Sequence, residues 1–129
     1  MKILQLCPRI PFPPVDGGTI GMYNLSSSML QAGVELKVLA MNTKKHFIEE
    51  KNIDPAYKST HQLETVYIDN SIKPLKAFLN IFSDESYNIT RFYSAEFSKK
   101  LKAILFVELR LLFFVDFCKV FNSVKNVIK

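Results

Sequence analysis

The chain has only two cysteines among its 129 residues, Cys7 and Cys118. They lie far apart in apolar surroundings, with no Cys-x-x-Cys pair and no histidine at a metal-ligand spacing,. This argues against a disulfide framework and against a metal site. We expect both cysteines to be buried free thiols in a reducing compartment.

The sequence also lacks a long hydrophobic run free of charge. Near the N-terminus, "MKILQLCPRIPFPP" is interrupted by proline too soon for a secretory signal,. The apolar segment 101–121 contains Glu108, Arg110 and Asp116, and each charge near a bilayer centre costs roughly 2.5–3.5 kcal/mol,. We therefore expect a cytoplasmic protein. The last stretch, "FCKVFNSVKNVIK", has three lysines and no acid, which leaves peripheral contact with the inner membrane open,.

Charge of one sign is only mildly in excess, because 17 Lys and Arg residues face 12 Asp and Glu residues. The surplus lies mostly in the second half: residues 1–64 carry a net charge of +1 and residues 65–129 carry +4. Such a surplus could favour an anionic membrane surface or phosphorylated ligands. It is too small to predict a nucleic-acid partner, and no nucleic-acid motif accompanies it, so we expect an ordinary solvated surface.

Glycine is scarce, with four residues in the whole chain. Three of them, Gly17, Gly18 and Gly21, form G-G-x-x-G, which is one spacing short of the dinucleotide fingerprint G-x-G-x-x-G,. No P-loop sequence is present either. We expect no bound cofactor.

What the sequence does contain is an alternation of strand and helix patterns. Apolar or alternating runs predict strands at 2–7, 34–42 and 63–69, and helical spacing predicts helices at 18–33, 71–82 and 89–105,. The first two strands and the helix between them form a βαβ unit, whose strands should be parallel neighbours. Residues 42–62 are polar and predict a loop with about one helical turn. The predicted fold class is therefore α/β, a parallel sheet with flanking helices.

The connection "CPRIPFPPVDGGTIG" leaves the carboxyl end of the first strand, where ligands bind in parallel sheets,. Gly17 and Gly18 would let backbone N–H groups approach a phosphate or a sugar closely. Asp16 or Thr19 could cap the following helix or bind a sugar hydroxyl, and Arg9 could face an anionic group. The alternative is a tight turn that needs glycine for its backbone dihedrals. The spacing alone leaves both interpretations open.

Other reactive side chains form no recognisable catalytic set. His46 and His61 have no second ligand nearby in sequence, and we expect both at the surface,. The serines at 26–28 have no positioned histidine and acid, which argues against a nucleophile. Arg91 and Tyr93 could reach a ligand or stabilise a helix surface. No residue is assigned a catalytic role.

One family resemblance extends this interpretation. The segment "MKILQLCPRIPFPPVDGGTIGMYNLSSSMLQAGVELKVLAMNT" resembles the N-terminus of group 1 glycosyltransferases of family four, and "SYNITRFYSAEFSKKLKAIL" resembles a later segment found in some of them. These bacterial enzymes have two Rossmann-like domains, the GT-B fold. The resemblance covers residues 1–105 and implies that the chain folds as one half of GT-B.

The resemblance also implies a reaction, in which a sugar moves from a nucleotide-sugar donor to a sugar or lipid-linked acceptor, without a bound metal. The N-terminal domain holds the acceptor in this family, and the C-terminal domain holds the donor. Gly17 and Gly18 would then lie near the donor's phosphates, where backbone N–H groups stabilise the departing diphosphate. Asp16, Thr19 and Arg9 would be substrate-binding candidates beside them. The expected products are bacterial surface polysaccharides or glycolipids.

The departures from the family limit this expectation. The donor-binding domain is absent from the 129 residues, and residues 106–129 do not continue the family pattern, as a frameshift or an early stop would explain. We therefore expect domain 1–105 to be inactive alone, or to depend on a separately encoded donor domain. Two alternatives stay open: a non-catalytic protein that binds a glycan, a lipid or a partner, and a different Rossmann-like enzyme that uses a nucleotide.

Overall fold

The computed structural model describes residues 2–71, 94–108 and 112–114. The strands in this part of the chain are β1 (Lys2–Cys7), β2 (Glu35–Thr43), β3 (Glu64–Ile68) and β4 (Leu112–Phe114). The α-helices are α1 (Gly17–Gln31), α2 (Pro55–Thr60) and α3 (Ala95–Glu108). Two 3-10 turns, Lys44–His46 and Glu50–Asn52, lie between β2 and α2.

The strands form one sheet in the order β3-β2-β1-β4, and every neighbouring pair is parallel. Lys2 to Cys7 pair in register with Glu35 to Ala40, so β1 and β2 run side by side for six residues. The predicted α/β class and the parallel βαβ unit are thus confirmed.

Helices cover both faces of the sheet, because side chains along β1 and β2 alternate between two cores. The first core joins one face of the sheet to α1 and α2, and its members include Ile3, Cys7, Leu36, Val38, Met22 and Tyr57. The second joins the opposite face to α3, and its members include Leu4, Leu6, Leu39, Met41, Phe97 and Leu101. The helical spacing that predicts the helix at 89–105 places Phe97, Leu101 and Ile104 on one face, and all three are buried,.

Helix α1 ends at Gln31, just before the predicted bound at residue 33. Gly33 has a φ of 75°, in the left-handed region that favours glycine,. Its N–H donates to the Leu30 carbonyl at 3.0 Å, and the Val34 N–H donates to the Met29 carbonyl at 3.0 Å. These two bonds satisfy carbonyls at the end of the helix and turn the chain into β2.

The segment predicted as a loop is more ordered than expected. Besides the two 3-10 turns it contains α2, which Asp54 begins by accepting hydrogen bonds from the N–H groups of Ala56 and Tyr57. Asp54 and Pro55 are a cap and a first-turn proline, a start signal that the polar composition around them obscures. The expectation of about one helical turn was therefore too low.

Helix α3 and strand β4 include residues on both sides of position 105, where the predicted domain 1–105 ends. The helix begins at Ala95, with the Phe97 N–H donating to Ser94 Oγ at 3.2 Å, and it continues to Glu108. Leu112 to Phe114 then pair with Leu4 to Leu6. The sheet therefore includes residues beyond 105. Of the predicted helix 71–82 only the first residue is described; residues 72–82 and 89–93 lie outside the described residues.

The surface prediction for the histidines is confirmed for His46 and wrong for His61, which is buried. The His61 ring stacks on Tyr57, with ring centroids 4.0 Å apart, and its Nδ1 lies 3.2 Å from the Tyr57 carbonyl oxygen. Burial lowers the pKa of His61, because an apolar environment disfavours the charged ring. The polar residues around it in sequence gave no sign of this packing.

Cys7 is a buried free thiol, as predicted. Burial raises its pKa to about 12, so the thiol stays protonated at neutral pH. Cys118 lies outside the described residues.

Candidate functional site

The carboxyl ends of the parallel strands meet at one edge of the sheet, which we call the carboxyl edge. Strand β1 ends there at Cys7, β2 at Thr43 and β3 at Ile68. Residues 8–16 follow β1 and lead into α1, and Lys44 and Asp69 directly follow β2 and β3. Ligand sites of parallel α/β proteins lie at this edge.

The structure brings the predicted site residues of the first connection together. One Nη of Arg9 donates to Asp16 Oδ1 in an ion pair. The same oxygen accepts the Thr19 N–H at 3.0 Å. Asp16 therefore caps α1, which confirms one of the two roles predicted for it,.

Thr19 completes this cap from the other side. Its hydroxyl oxygen accepts the N–H groups of Val15 and Asp16, each at 3.0 Å, and the hydroxyl donates to the Asp16 carbonyl at 3.0 Å. The residue is only 4% exposed. Its hydrogen-bonding capacity is thus used inside the connection, where it fixes the direction in which α1 begins.

Charge in this connection is balanced locally. The hydrogen bond from the Thr19 N–H, together with the Arg9 guanidinium, lowers the pKa of Asp16. Asp16 is therefore ionised at neutral pH, and Arg9 offsets its charge at the start of α1. A ligand approaching this end of the helix meets a neutralised pair.

Gly17 and Gly18 are both exposed at the first turn of α1. Neither has a positive φ, since Gly33 is the glycine with that conformation among the described residues. The interpretation that these two glycines are needed for backbone dihedrals is therefore wrong. At Gly18 an added Cβ would lie 2.6 Å from an Nη of Arg9, so the end of that flexible side chain would have to shift.

Gly17 has neither reason to be glycine. An added Cβ there would meet no described atom within 4 Å, and its backbone conformation suits any residue. Glycine nevertheless lowers helix stability relative to alanine. Glycine at position 17 therefore lowers the stability of the helix, and it relieves no contact with the described residues,.

These contacts predict different outcomes for two neighbouring substitutions. We expect Gly17→Ala to leave the free energy of unfolding unchanged or slightly higher, because alanine favours the helix. Gly18→Ala should be slightly less stable than Gly17→Ala, since the new methyl group moves the end of the Arg9 side chain away from Asp16. Urea unfolding followed by circular dichroism measures both. Equal stability of the two variants would show that Arg9 does not constrain Gly18.

A second cluster at the carboxyl edge was not predicted from the sequence. Phe47 and Tyr67 contact each other edge to face, with ring centroids 5.6 Å apart and an interplanar angle of 85°. Together with Lys44 they line a cavity of about 550 Å³. We call these three residues the aromatic corner. The available signal was the position of Phe47 and Tyr67 near the ends of two strands.

Exposed apolar side chains concentrate at the same edge. Five large apolar side chains are exposed in the described part of the chain: Val15, Ile20, Phe47, Tyr67 and Phe106. The first two flank Gly17 and Gly18, and the next two form the aromatic corner. Only Phe106, near the end of α3, lies elsewhere. Four of the five therefore lie at or near the carboxyl edge.

A buried polar group ties α1 to the sheet behind this edge. Gln5 Nε2 donates to the Met22 carbonyl at 3.2 Å, and the Ser26 hydroxyl donates to the same carbonyl at 3.0 Å. Ser26 is fully buried and bonded to backbone, which agrees with the interpretation that it is not a nucleophile.

Metal ligation and membrane spanning can be assessed for residues 2–71, 94–108 and 112–114. No group of three or more His, Cys, Asp or Glu side chains there is arranged to hold a metal ion. None of the helices in those ranges is both long and apolar enough to cross a membrane.

Comparison with known proteins adds no assignment. No protein-family model matches the chain, and no curated protein or solved structure shows significant similarity to it.

Proposed function

We propose that the chain is the N-terminal, acceptor-side domain of a family-four glycosyltransferase with the GT-B fold. In this proposal it takes part in moving a sugar from a nucleotide-sugar donor to an acceptor hydroxyl, and the donor is held by a second domain. The support comes from the resemblance of residues 1–105 and from the geometry of the carboxyl edge.

The observation that carries the proposal is Gly17. Neither its backbone dihedrals nor its neighbours among the described residues require glycine. A missing side chain at this position leaves the backbone accessible to an approaching group. Because Gly17 and Gly18 are exposed at the positive end of α1, the group that suits them best is an anion such as a phosphate.

The fold supports the same interpretation. The strand order β3-β2-β1-β4 matches the first four positions of the doubly wound order 3-2-1-4-5-6,. The β1-to-α1 connection is the place where such sheets bind phosphates. These are general features of α/β proteins, and the particular family comes from the resemblance.

In this proposal each residue of the connection has one task. The N–H group of Gly17 binds the diphosphate and stabilises the negative charge that grows on it as the sugar leaves. The Gly18 N–H lies beside it and also interacts with the Asp16 carboxylate. Asp16 and Thr19 hold these N–H groups in place through the cap. Arg9 neutralises Asp16, so that the carboxylate does not repel the phosphate,.

The proposal is tested by titrating the full 15N-labelled chain with pyrophosphate and following the amide signals by NMR. The four glycines give few signals in the glycine region, so Gly17 and Gly18 can be followed directly. We expect these two signals to shift and Gly33 to stay unchanged. Gly17→Leu should weaken binding at least about tenfold, because the leucine side chain covers the N–H groups.

Gly21→Leu is the matched control, because Gly21 is also an exposed glycine of α1 with no described atom near an added Cβ. It should bind pyrophosphate like the original chain. Equal binding by the two leucine variants would refute the role of Gly17. Uridine diphosphate should bind no more tightly than pyrophosphate, since the nucleoside contacts the other domain. Much tighter binding would support a nucleotide-using enzyme of a different kind.

A further inference from the structure

We infer that the aromatic corner, Lys44, Phe47 and Tyr67, binds a sugar ring that carries an anionic substituent. The inference rests on the proposed function for the choice of a sugar, and on the structure for the place, the stacking surface and the charge. It assigns a substrate class to a part of the carboxyl edge separate from Gly17 and Gly18.

The two rings offer a stacking surface. Phe47 is 53% exposed and Tyr67 is 51% exposed, so each ring has apolar area that a ligand could cover. The two rings are nearly perpendicular, so the edge of one ring lies beside the face of the other. The apolar C–H face of a sugar ring packs on such an aromatic face, and the adjoining open depression, about 550 Å³, is within the usual range of small-molecule sites,.

Asn42 holds the corner in place. Its Nδ2 donates to the Ile48 carbonyl at 2.7 Å, and its Oδ1 accepts the Ile48 N–H at 3.0 Å. Asn42 is buried and pairs with Tyr67 in the sheet. One amide therefore fixes the backbone next to Phe47 relative to the strand that carries Tyr67, so the stacking surface exists before a ligand arrives.

The charge beside the rings is mainly positive. The turn that leads to Phe47 is Lys44-Lys45-His46. Lys44 Nζ lies 3.9 Å from Asp69 Oδ1, which also accepts the N–H and the hydroxyl of Ser71. An ammonium has three donors, and one acceptor at this distance leaves capacity for an anionic ligand. Lys44 would therefore bind a carboxylate or a phosphate on the sugar.

The test is an NMR titration of the full chain with four probes: D-glucose, D-glucuronic acid, D-glucose 6-phosphate and uridine monophosphate. We expect the two anionic sugars to bind more tightly than glucose. If only one of them does so, the substituent is identified as a carboxylate or as a phosphate. Tighter binding of uridine monophosphate than of every sugar, or binding of glucose as tight as that of the anionic sugars, would overturn the inference.

Variants locate the binding. Phe47→Ala and Tyr67→Ala should each weaken it about tenfold, and Lys44→Gln should remove most of the preference for the anionic sugars. The matched controls are Phe106→Ala and Lys102→Gln, an exposed ring and an exposed lysine on α3, and both should bind like the original chain. Equal losses in the controls would overturn the site.

The two proposals can fail separately. Gly17→Leu should leave the binding of the anionic sugars unchanged, and Phe47→Ala should leave pyrophosphate binding unchanged. Loss of pyrophosphate binding alone therefore counts against the proposed function, and loss of sugar binding alone counts against the aromatic corner.

Discussion

Replacing Phe97 by alanine is expected to lower the free energy of unfolding by about 3–5 kcal/mol. Phe97 is fully buried between α3 and the sheet, among Leu4, Leu6, Leu39 and Leu101. Removing its ring loses the transfer free energy of the ring and leaves a cavity that surrounding strands cannot fill. A loss of this size is a large part of the 5–15 kcal/mol that stabilises an ordinary domain.

Urea unfolding followed by circular dichroism measures the effect, with two further variants for calibration. Phe97→Leu keeps most of the volume and should lose less than Phe97→Ala, which keeps the comparison possible if the alanine variant does not fold. Phe106→Ala removes a ring that is 88% exposed on the same helix, and it should stay within about 0.5 kcal/mol of the original chain. Similar losses at positions 97 and 106 would show that α3 does not pack on the sheet as described.

The parts of the fold that were predictable are those with a local signal. Strand β1 is a short apolar run, α1 has helical spacing with an acceptor at its start, and Gly33 supplies its end. These features depend on residues within a few positions of one another, so the sequence pattern contains them. The buried state of Cys7 followed from its position in an apolar strand.

The parts that were not predictable depend on contacts between distant residues. His61 is buried because Tyr57 and Tyr23 stack near it, in a segment whose composition is polar. Phe47 and Tyr67 are twenty positions apart and meet because β2 and β3 pair in one register. Sequence periodicity describes one helix or strand at a time and carries no information about contacts between residues far apart in the sequence.

The first connection shows both situations at once. Arg9, Asp16, Gly17, Gly18 and Thr19 were selected for their place after β1, and the structure does bring them together. What sequence reasoning could not supply was the division of tasks, in which Thr19 and Asp16 build the cap and Arg9 occupies the space beside Gly18. Their contact with a substrate stays a prediction.

The second large loss of stability is expected for Thr19→Val, because the Thr19 hydroxyl completes that cap. Valine has nearly the shape of threonine but no hydroxyl, so the N–H groups of Val15 and Asp16 lose their acceptor. The Asp16 carbonyl loses one donor and keeps the Ile20 N–H. We expect the free energy of unfolding to fall by about 2 kcal/mol, since unmade hydrogen bonds of partly buried groups cost about 1–3 kcal/mol.

Thr19→Ser is the matched control, because serine keeps the hydroxyl and loses only a methyl group. It should retain most of the stability in the same urea experiment, and a loss as large as that of Thr19→Val would assign the effect to packing instead of hydrogen bonding. The pair also links stability to the proposed function. If the cap aligns the N–H groups of Gly17 and Gly18, Thr19→Val should weaken pyrophosphate binding under conditions in which the variant is fully folded, whereas Thr19→Ser should not. Unchanged binding by a folded Thr19→Val variant would show that the glycine N–H groups are held in place without the cap.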